Sequence, residues 1–435
     1  LAVGTFTVSG CANDTGSGDS GSGDPDSGDT GSIGPELVLI SALQGSGSSS
    51  PLEDSEVMIE GVVVGDFQYD DEDGSRNLGG FFVQEETDDE DSDATTSEAI
   101  YVYHSDTDVG LGDTVRVTGT VDEYYGLTQL SSVSSVEIIT DGDATSLSQV
   151  TPASISLASI STVTVNQDGD YQPDLEAYEG MLVTFPDTLT ITEQYNLDRF
   201  NEIRLVNGER PDQFTQIQTP DANAYDAYMQ VIGSNRIVFD DGQNSQNLAI
   251  SLLDGFADYN EANAPRMGDQ ITGMTGVLDY QWAGNSSSGS TWRVRSHLDG
   301  SNSFTATAYG NSPNERPANG PDAIGGDIRL VSMNVLNFFK TLDASGVSTL
   351  AGHDPRGADD LSGTDYTDDA NLEFDRQLTK LVNAIIEAQP DVLGLVEIEN
   401  EFDAVNDGST AIEILVNALN ERAGTARYDY VYPGS

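Results

Sequence analysis

The chain has 435 residues, room for two or three domains with a core in each, so it is not a small stapled module. Seventeen Lys and Arg against 74 Asp and Glu leave a formal charge of −57, which excludes a basic protein that wraps nucleic acid, while 37% apolar residues exclude a wholly disordered acidic tail. A single cysteine, Cys11, excludes an intrachain disulfide and a Cys-built zinc site, and no run of 18 apolar residues follows it.

The acidity, with only Lys340 and Lys380 as lysines, reads as adaptation to a saline habitat, where dissolved salt screens self-repulsion. Residues 1–11 open the chain in chain order. LAVGTFTVSG is uncharged and runs straight into Cys11, which is similar to the end of a bacterial lipoprotein signal peptide. On that likeness Val8, Ser9 and Gly10 precede the cleavage site and Cys11 carries the lipid; a plain signal peptide is the alternative. In a Gram-negative source, Ala12 favours outer-membrane sorting, so the expected location is extracellular or anchored on the cell surface. Residues 12–35 are Gly, Ser and Asp with almost nothing apolar, a flexible tether.

From Glu36 to about Asp299, short Val/Ile/Thr/Tyr runs alternate with Gly, Asp and Asn, an all-β grammar. GDTVRVTGTVDEYYG (Gly112 to Gly126) is echoed by GDQITGMTGVLDYQW (Gly268 to Trp282), and MIEGVVV (Met58 to Val64) more weakly by YEGMLVTF (Tyr178 to Phe185). Such spacing predicts two related barrels of the oligonucleotide/oligosaccharide-binding (OB) kind, at 36–150 and 175–300. Barrels of this class bind single strands through aromatic platforms and basic grooves, but aromatics at alternating strand positions, Phe81 and Tyr101 among them, more often fill a core. With ten basic residues in 1–326 against 54 acids, a strong electrostatic grip on phosphates by this region is not expected. Its acid-rich loops, Asp70–Gly74, Asp88–Asp93 and Asp168–Asp170, offer carboxylate oxygens to Ca²⁺ but lack a full twelve-residue calcium-loop pattern.

Residues 312–326, rich in Pro, Gly and Asn, read as a linker, after which strands and helices alternate through 327–435. DIRLVSMNVLNFF begins as an apolar strand ending on Asn334. Phe374, Leu378, Leu381, Val382, Ile385 and Ile386 recur at helical spacing within 371–389, a helix that Pro390 ends. DVLGLVEIEN is a buried strand whose apolar run stops at Glu397, a second helix follows over Ser409 to Ala423, and YDYVYP reads as a third strand. The order is that of an α/β layer. A carboxylate where a buried strand surfaces, beside another strand's terminal Asn, suits a hard divalent cation; the same spacing also fits an Asn334 that caps a turn and a Glu397 paired with an arginine.

The runs VSMNVLNFF, RGADD (Arg356 to Asp360) and EFDRQLTKLVNAIIEAQPDVLGLVEIEN closely resemble the start of the endonuclease/exonuclease/phosphatase superfamily, which has the DNase-I-like fold, and specifically the ExeM/NucH-type secreted bacterial nucleases. GGFFVQE, TSEAIYVY, GDTVRVTGTVDEYYGLTQL and VFDDGQN resemble the barrel region those nucleases carry upstream, so the likeness spans nearly all of 36–435. The resemblance implies a multidomain chain: a β-rich region with OB-like barrels, then the first part of an α/β (α+β) DNase-I-like sandwich. It implies that Asn334 is the active-site Asn of the first strand and Glu397 the metal-binding Glu, together the catalytic and metal residues. It places Arg356 and Arg376 in shared segments where either reaches a substrate phosphate or serves as a structural fork. The cofactor implied is Mg²⁺, with Mn²⁺ or Ca²⁺ able to replace it, and the reaction is metal-assisted phosphodiester hydrolysis of DNA or RNA without a covalent intermediate.

The family takes its Asp-His base pair and further ligands from the domain's second half. Residues 327–435 are too few for a whole two-sheet sandwich, His104 and His297 lie in the barrel region and His353 in a Gly/Asp-rich loop before the second strand, so the chain is expected to be an N-terminal fragment, inactive alone, with unpaired apolar surface on its C-terminal part. Two alternatives are a phosphomonoesterase or 5′-nucleotidase of the same superfamily, and a non-enzymatic cell-surface module that binds nucleic acid or glycan. No protein partner is implied, and a membrane is met only through Cys11.

Overall fold

Alternation in EVMIEGVVVGDF buries every second side chain of strand β1 (Glu56–Phe67) as far as Gly61, after which both faces are covered. The computed structural model that shows this describes residues 35–69, 76–259, 264–284, 286–308, 312–314, 320, 325–339, 372–399 and 410–431. Cys11 and its flanks, the tether to residue 34, Asp70–Gly74, His353 and Arg356 lie outside the described residues.

β1 is followed by β2 (Gly80–Gln84), β3 (Ala99–Val102), β4 (Thr114–Tyr124) and β5 (Leu127–Thr140). They close into a barrel in the order β1-β2-β3-β5-β4, with β4 returning to β1 and β3 running parallel to β5. Closure leaves no free sheet edge, and Ile59, Val63, Phe81, Val83, Ile100 and Val117 fill the interior. The short helix Ile40–Gln44 packs Ile40 and Leu43 onto that core, tied down by Ile40 N donating to Glu85 Oε1 at 2.6 Å.

The second β unit is built from β6 (Leu182–Glu193), β7 (Ile203–Asn207), β8 (Arg236–Asp240), β9 (Gln270–Gln281) and β10 (Thr291–Arg295), with Ala153–Ser154 added in parallel on β6. β6 pairs with β7, β7 with β8, β8 in parallel with β10, β10 with β9, and β9 with β6. Strand for strand this repeats the connectivity of the first barrel. The echoed sequences fall at matching places: 112–126 leads into and through β4 and 268–282 through β9, while 58–64 lies in β1 and 178–185 leads into β6. Gly112 and Gly268 open the matched turns at φ 92° and 96°, a conformation that costs glycine nothing. The second copy carries one extra residue, and a break in β9 register falls there, between Thr272 and Met274, with Gly273 at φ 72°.

Besides three helices of four or five residues, one longer helix among the described residues departs from the all-β reading: α1 (Ala222–Ser234) is inserted between β7 and β8, its N-terminus capped by Asp221 accepting from Ala224 N. It buries only Gly233 fully, so the apolar stripe that announces a core helix is missing from its sequence. The two barrels share a core of Val62, Phe67, Phe82, Leu182 and Val277, and Leu182 N donates across the contact to Gln84 Oε1 at 2.8 Å.

Beyond Ser312–Pro313, which pairs with Thr307–Ala308, the grammar changes as expected. β11 (Leu330–Phe338) lies parallel to β12 (Val392–Ile398), and helices α2 (Leu372–Ala388) and α3 (Ala411–Ala423) cover one face of the pair. All six periodic residues of α2 join that core. The other face leaves Leu330, Val392 and Val396 more than half exposed. Tyr428–Val431 forms no strand, contrary to expectation: Arg427 N and Tyr428 N both donate to Asn420 Oδ1, and Tyr428 O accepts from Asn420 Nδ2, so the segment is bound to the end of α3 instead of a sheet. No helix among the described residues is long and apolar enough to cross a membrane.

Candidate functional site

β11 does not end on Asn334 but continues to Phe338 through an irregular stretch. Asn334 pairs with Val396, the residue before Glu397; the next pair is Phe338 with Ile398, so three residues of β11 oppose Glu397 alone. Leu336, Asn337 and Glu397 all have φ between 50° and 67°, left-handed backbone that non-glycine side chains resist. Strain of this kind, concentrated on two adjacent strand ends, persists only where surrounding contacts enforce it. Gln377 of α2 supplies such contacts, its Nε2 donating to Leu336 O at 2.9 Å and Val335 O at 3.3 Å.

At this end Asn334 and Glu397 are both exposed. Asn334 Oδ1 accepts from Leu336 N at 2.8 Å, the turn-capping role, while its Nδ2 donates to no described residue. Glu397 has no hydrogen-bond or ion-pair partner among the described residues, so the alternative of an arginine partner finds no support there. One carboxylate and one amide on neighbouring strands suit an ion such as Mg²⁺, which takes one or two carboxylates and leaves its other positions to water and phosphate. Arg376 is exposed on α2, one position before Gln377.

The described histidines stand apart from this end. His104 Nε2 accepts from Thr107 N in the first barrel, and His297 of the second is driven down to about 4 by burial and by Arg76. Among the acidic loops, Asp170 is engaged by Arg204 and Arg236, while Asp91 and Asp93 accept hydrogen bonds within their own turn. Glu85, Glu86 and Asp89 form a carboxylate group with oxygens within 4.8 Å of one another, in the first barrel and not beside Glu397.

Sequence reasoning passed over a cavity of about 350 Å³ where the barrels meet. Tyr69, Tyr103 and Tyr124 of the first barrel and Trp282 of the second line it, with Tyr125 packed edge-on to both Tyr124 and Trp282. The echoed segments supply corresponding residues, Asp122 and Tyr124 from one, Asp279 and Gln281 from the other. Behind Asp279 lies a buried ionic network. Arg295 Nε donates to Asp279 Oδ2 at 2.7 Å and its other arm to Asp240, while Arg293 reaches Asp240 and, at 3.0 Å, Glu202. A search of protein-family models and of curated proteins finds none that matches this chain.

Proposed function

We propose that this chain carries the barrel region and the first metal-site residues of an extracellular nuclease that hydrolyses phosphodiester bonds in DNA or RNA. On this reading the barrels are of the OB type, the α/β unit begins a DNase-I-like sandwich, and Cys11 anchors the protein to the outer membrane. The observation that carries it is the strained, Gln377-braced pair of strand ends that presents Asn334 beside a Glu397 with no partner among the described residues.

Glu397, with Asn334 beside it, would hold Mg²⁺, which supplies neutralisation of charge on the scissile phosphate. Because Leu336 N fixes Asn334 Oδ1, the amide is oriented with Nδ2 left to donate to a phosphate oxygen or to the attacking water. Gln377 holds the strand end and so positions both groups. In-line attack by water would break the bond from phosphorus to the leaving sugar oxygen, which leaves as a hydroxyl carrying a proton of that water; neither described histidine stands at this end to relay it, His297 being buried in the second barrel and His104 placed in the first.

The test is to express the gene with any coding sequence that continues past Ser435 and assay plasmid DNA and RNA with Mg²⁺, with EDTA, and as Glu397→Ala. Oligonucleotide products that vanish with EDTA and fall at least about 100-fold in the variant are expected, the loss of a metal's transition-state stabilisation. Release of free phosphate from nucleotides without polymer cleavage would favour the phosphomonoesterase reading. No cleavage of any phosphate ester would leave the barrels as the functional part.

A further inference from the structure

Where the chain leaves β2, acidic residues gather at one point. Glu85 follows the last residue of the strand, and the ladder with β3 runs one step beyond it: Glu85 N donates to Glu98 O at 2.9 Å, so the two side chains stand side by side on one face of the pair. Asp89 N donates to Glu86 O at 2.8 Å, a turn that brings Asp89 back beside Glu86. Carboxylate oxygens of Glu85, Glu86 and Asp89 thereby come within 4.8 Å of one another. Oxygens that share one Ca²⁺, each at about 2.3–2.6 Å from it, stand no more than about 5 Å apart, and these three meet that condition.

In so acidic a chain, closeness of three carboxylates is no argument by itself. Glu98 supplies the second observation. It is only 6% exposed; its Oε1 accepts from Asp91 N at 3.1 Å, and its Oε2 has no hydrogen-bond partner among the described residues. Of the charges around Glu85, that of Glu98 bears on it most strongly, ahead of those of Glu86 and Asp89. Glu85 is itself buried and gives one oxygen, Oε1, to Ile40 N. Among the described residues no Arg, Lys or His pairs with any of the four, and Arg116 of the same barrel is engaged by Glu60 and Glu137. The second barrel treats its buried acids differently, setting Asp240, Asp279 and Glu202 against Arg293 and Arg295. Like charges buried side by side repel in a medium that screens them poorly, and a cation between them removes that repulsion.

We propose that Glu85, Glu86 and Asp89, backed by the buried Glu98, form a Ca²⁺ site where β2 ends. So many carboxylates exceed the one or two that Mg²⁺ takes, whereas Ca²⁺ accepts six to eight oxygens in an adaptable shell. Asp89 is exposed and Glu86 partly so, which leaves the outer side of the ion open for entry and for the waters that complete its shell. Glu85 and Glu98 form the inner side. An ion at about 2.3–2.6 Å sits closer to its oxygens than a hydrogen-bonded water at about 2.8 Å, so it fits where solvent does not reach. Asp91 and Asp93, bound within their own turn, take no part. Because Glu85 also holds Ile40 N, the ion would pin the short helix Ile40–Gln44 to the barrel. The inference does not depend on the nuclease reading, since it uses neither Asn334 nor Glu397.

The full chain, freed of metal with EDTA and dialysed, would be titrated calorimetrically with CaCl2 and with MgCl2 in about 1 M NaCl, which screens diffuse counterion binding. Expected is a Ca²⁺ site with a dissociation constant of about 1 mM or tighter, at least about tenfold weaker for Mg²⁺. It should persist in Glu397→Ala and weaken at least about tenfold in Asp89→Asn and in Glu86→Gln. About 10 mM CaCl2 should raise the Tm of the unaltered chain by about 3 °C or more and leave those two variants near their values in EDTA. In EDTA both should unfold no earlier than the unaltered chain, because each removes one of the repelling charges. Earlier unfolding there, no Ca²⁺ uptake at about 10 mM, uptake unchanged by both substitutions, or Mg²⁺ held as tightly as Ca²⁺ would each overturn the proposal.

Discussion

Arg293 and Arg295 are two of only 17 basic residues, yet both are under 2% exposed and locked against Asp240, Asp279 and Glu202. A chain so poor in cations has placed two of them in a core, where each ion's desolvation is offset only while its partners remain. Arg295→Met should therefore cost about 3–5 kcal/mol, because it strands the buried Asp279 carboxylate and leaves Asp240 to Arg293 alone, and urea unfolding followed by the fluorescence of buried Trp292 would measure it. A loss below about 1 kcal/mol would mean that water reaches the network. Nothing in the sequence announces this cluster, since its members come from β8, β9, β10 and the turn before β7, and only barrel closure joins them. Asn334 and Glu397 were singled out by the family resemblance and by apolar runs read as stopping at each; the run at Asn334 in fact continues to Phe338, and the two residues lie one register step apart on paired strands. Tyr103, Tyr124 and Trp282 were visible as aromatics, but alternation sorts inside from outside within one barrel and says nothing of where a second barrel abuts it.

At the scale of elements, what the sequence states most clearly is repetition. The Gly-Asp turns, the alternating strands and the six periodic residues of α2 are local signals and became the structures they imply. The bulged end of β11 is not local: Leu336 and Asn337 adopt left-handed backbone because β12 and Gln377 of α2 hold them, so the reading that β11 stops at Asn334 missed a stretch written in another element. Gln377→Ala tests that brace. Losing two side-chain hydrogen bonds on a partly exposed residue should lower stability by about 1 kcal/mol, yet loosen the strand end enough to weaken Mn²⁺ binding several-fold. Water-proton relaxation with Mn²⁺ reads the second quantity and thermal unfolding the first. Unchanged Mn²⁺ affinity would make Gln377 a packing residue alone.

For the whole molecule, a charge of −57 is joined to carboxylates that folding removes from water. Burial pushes Glu85, Glu98 and Glu176 each up to about 7, and burial with Asp240 alongside pushes Asp241 up to about 8. A carboxyl whose folded value is raised binds its proton more tightly folded than unfolded. Its stabilisation is complete below the unfolded value near 4.5 and is lost as pH rises through about 7 to 8. Surface repulsion also grows with pH, so the two effects must be separated. At about 1 M NaCl the screening length falls to roughly 3 Å, which silences the surface and leaves the buried groups. Under that salt, with EDTA present to keep the Glu85 group free of ions, Tm should fall steadily between pH 5 and pH 8. Glu85→Gln keeps the acceptor that Ile40 N uses and removes the titrating proton, so it should raise Tm at pH 8, leave it nearly unchanged at pH 5, and flatten the slope between. A Tm that holds level or rises over this range in high salt would show that these carboxylates stay ionised and hydrated in the folded protein, and that the acidity acts only at the surface.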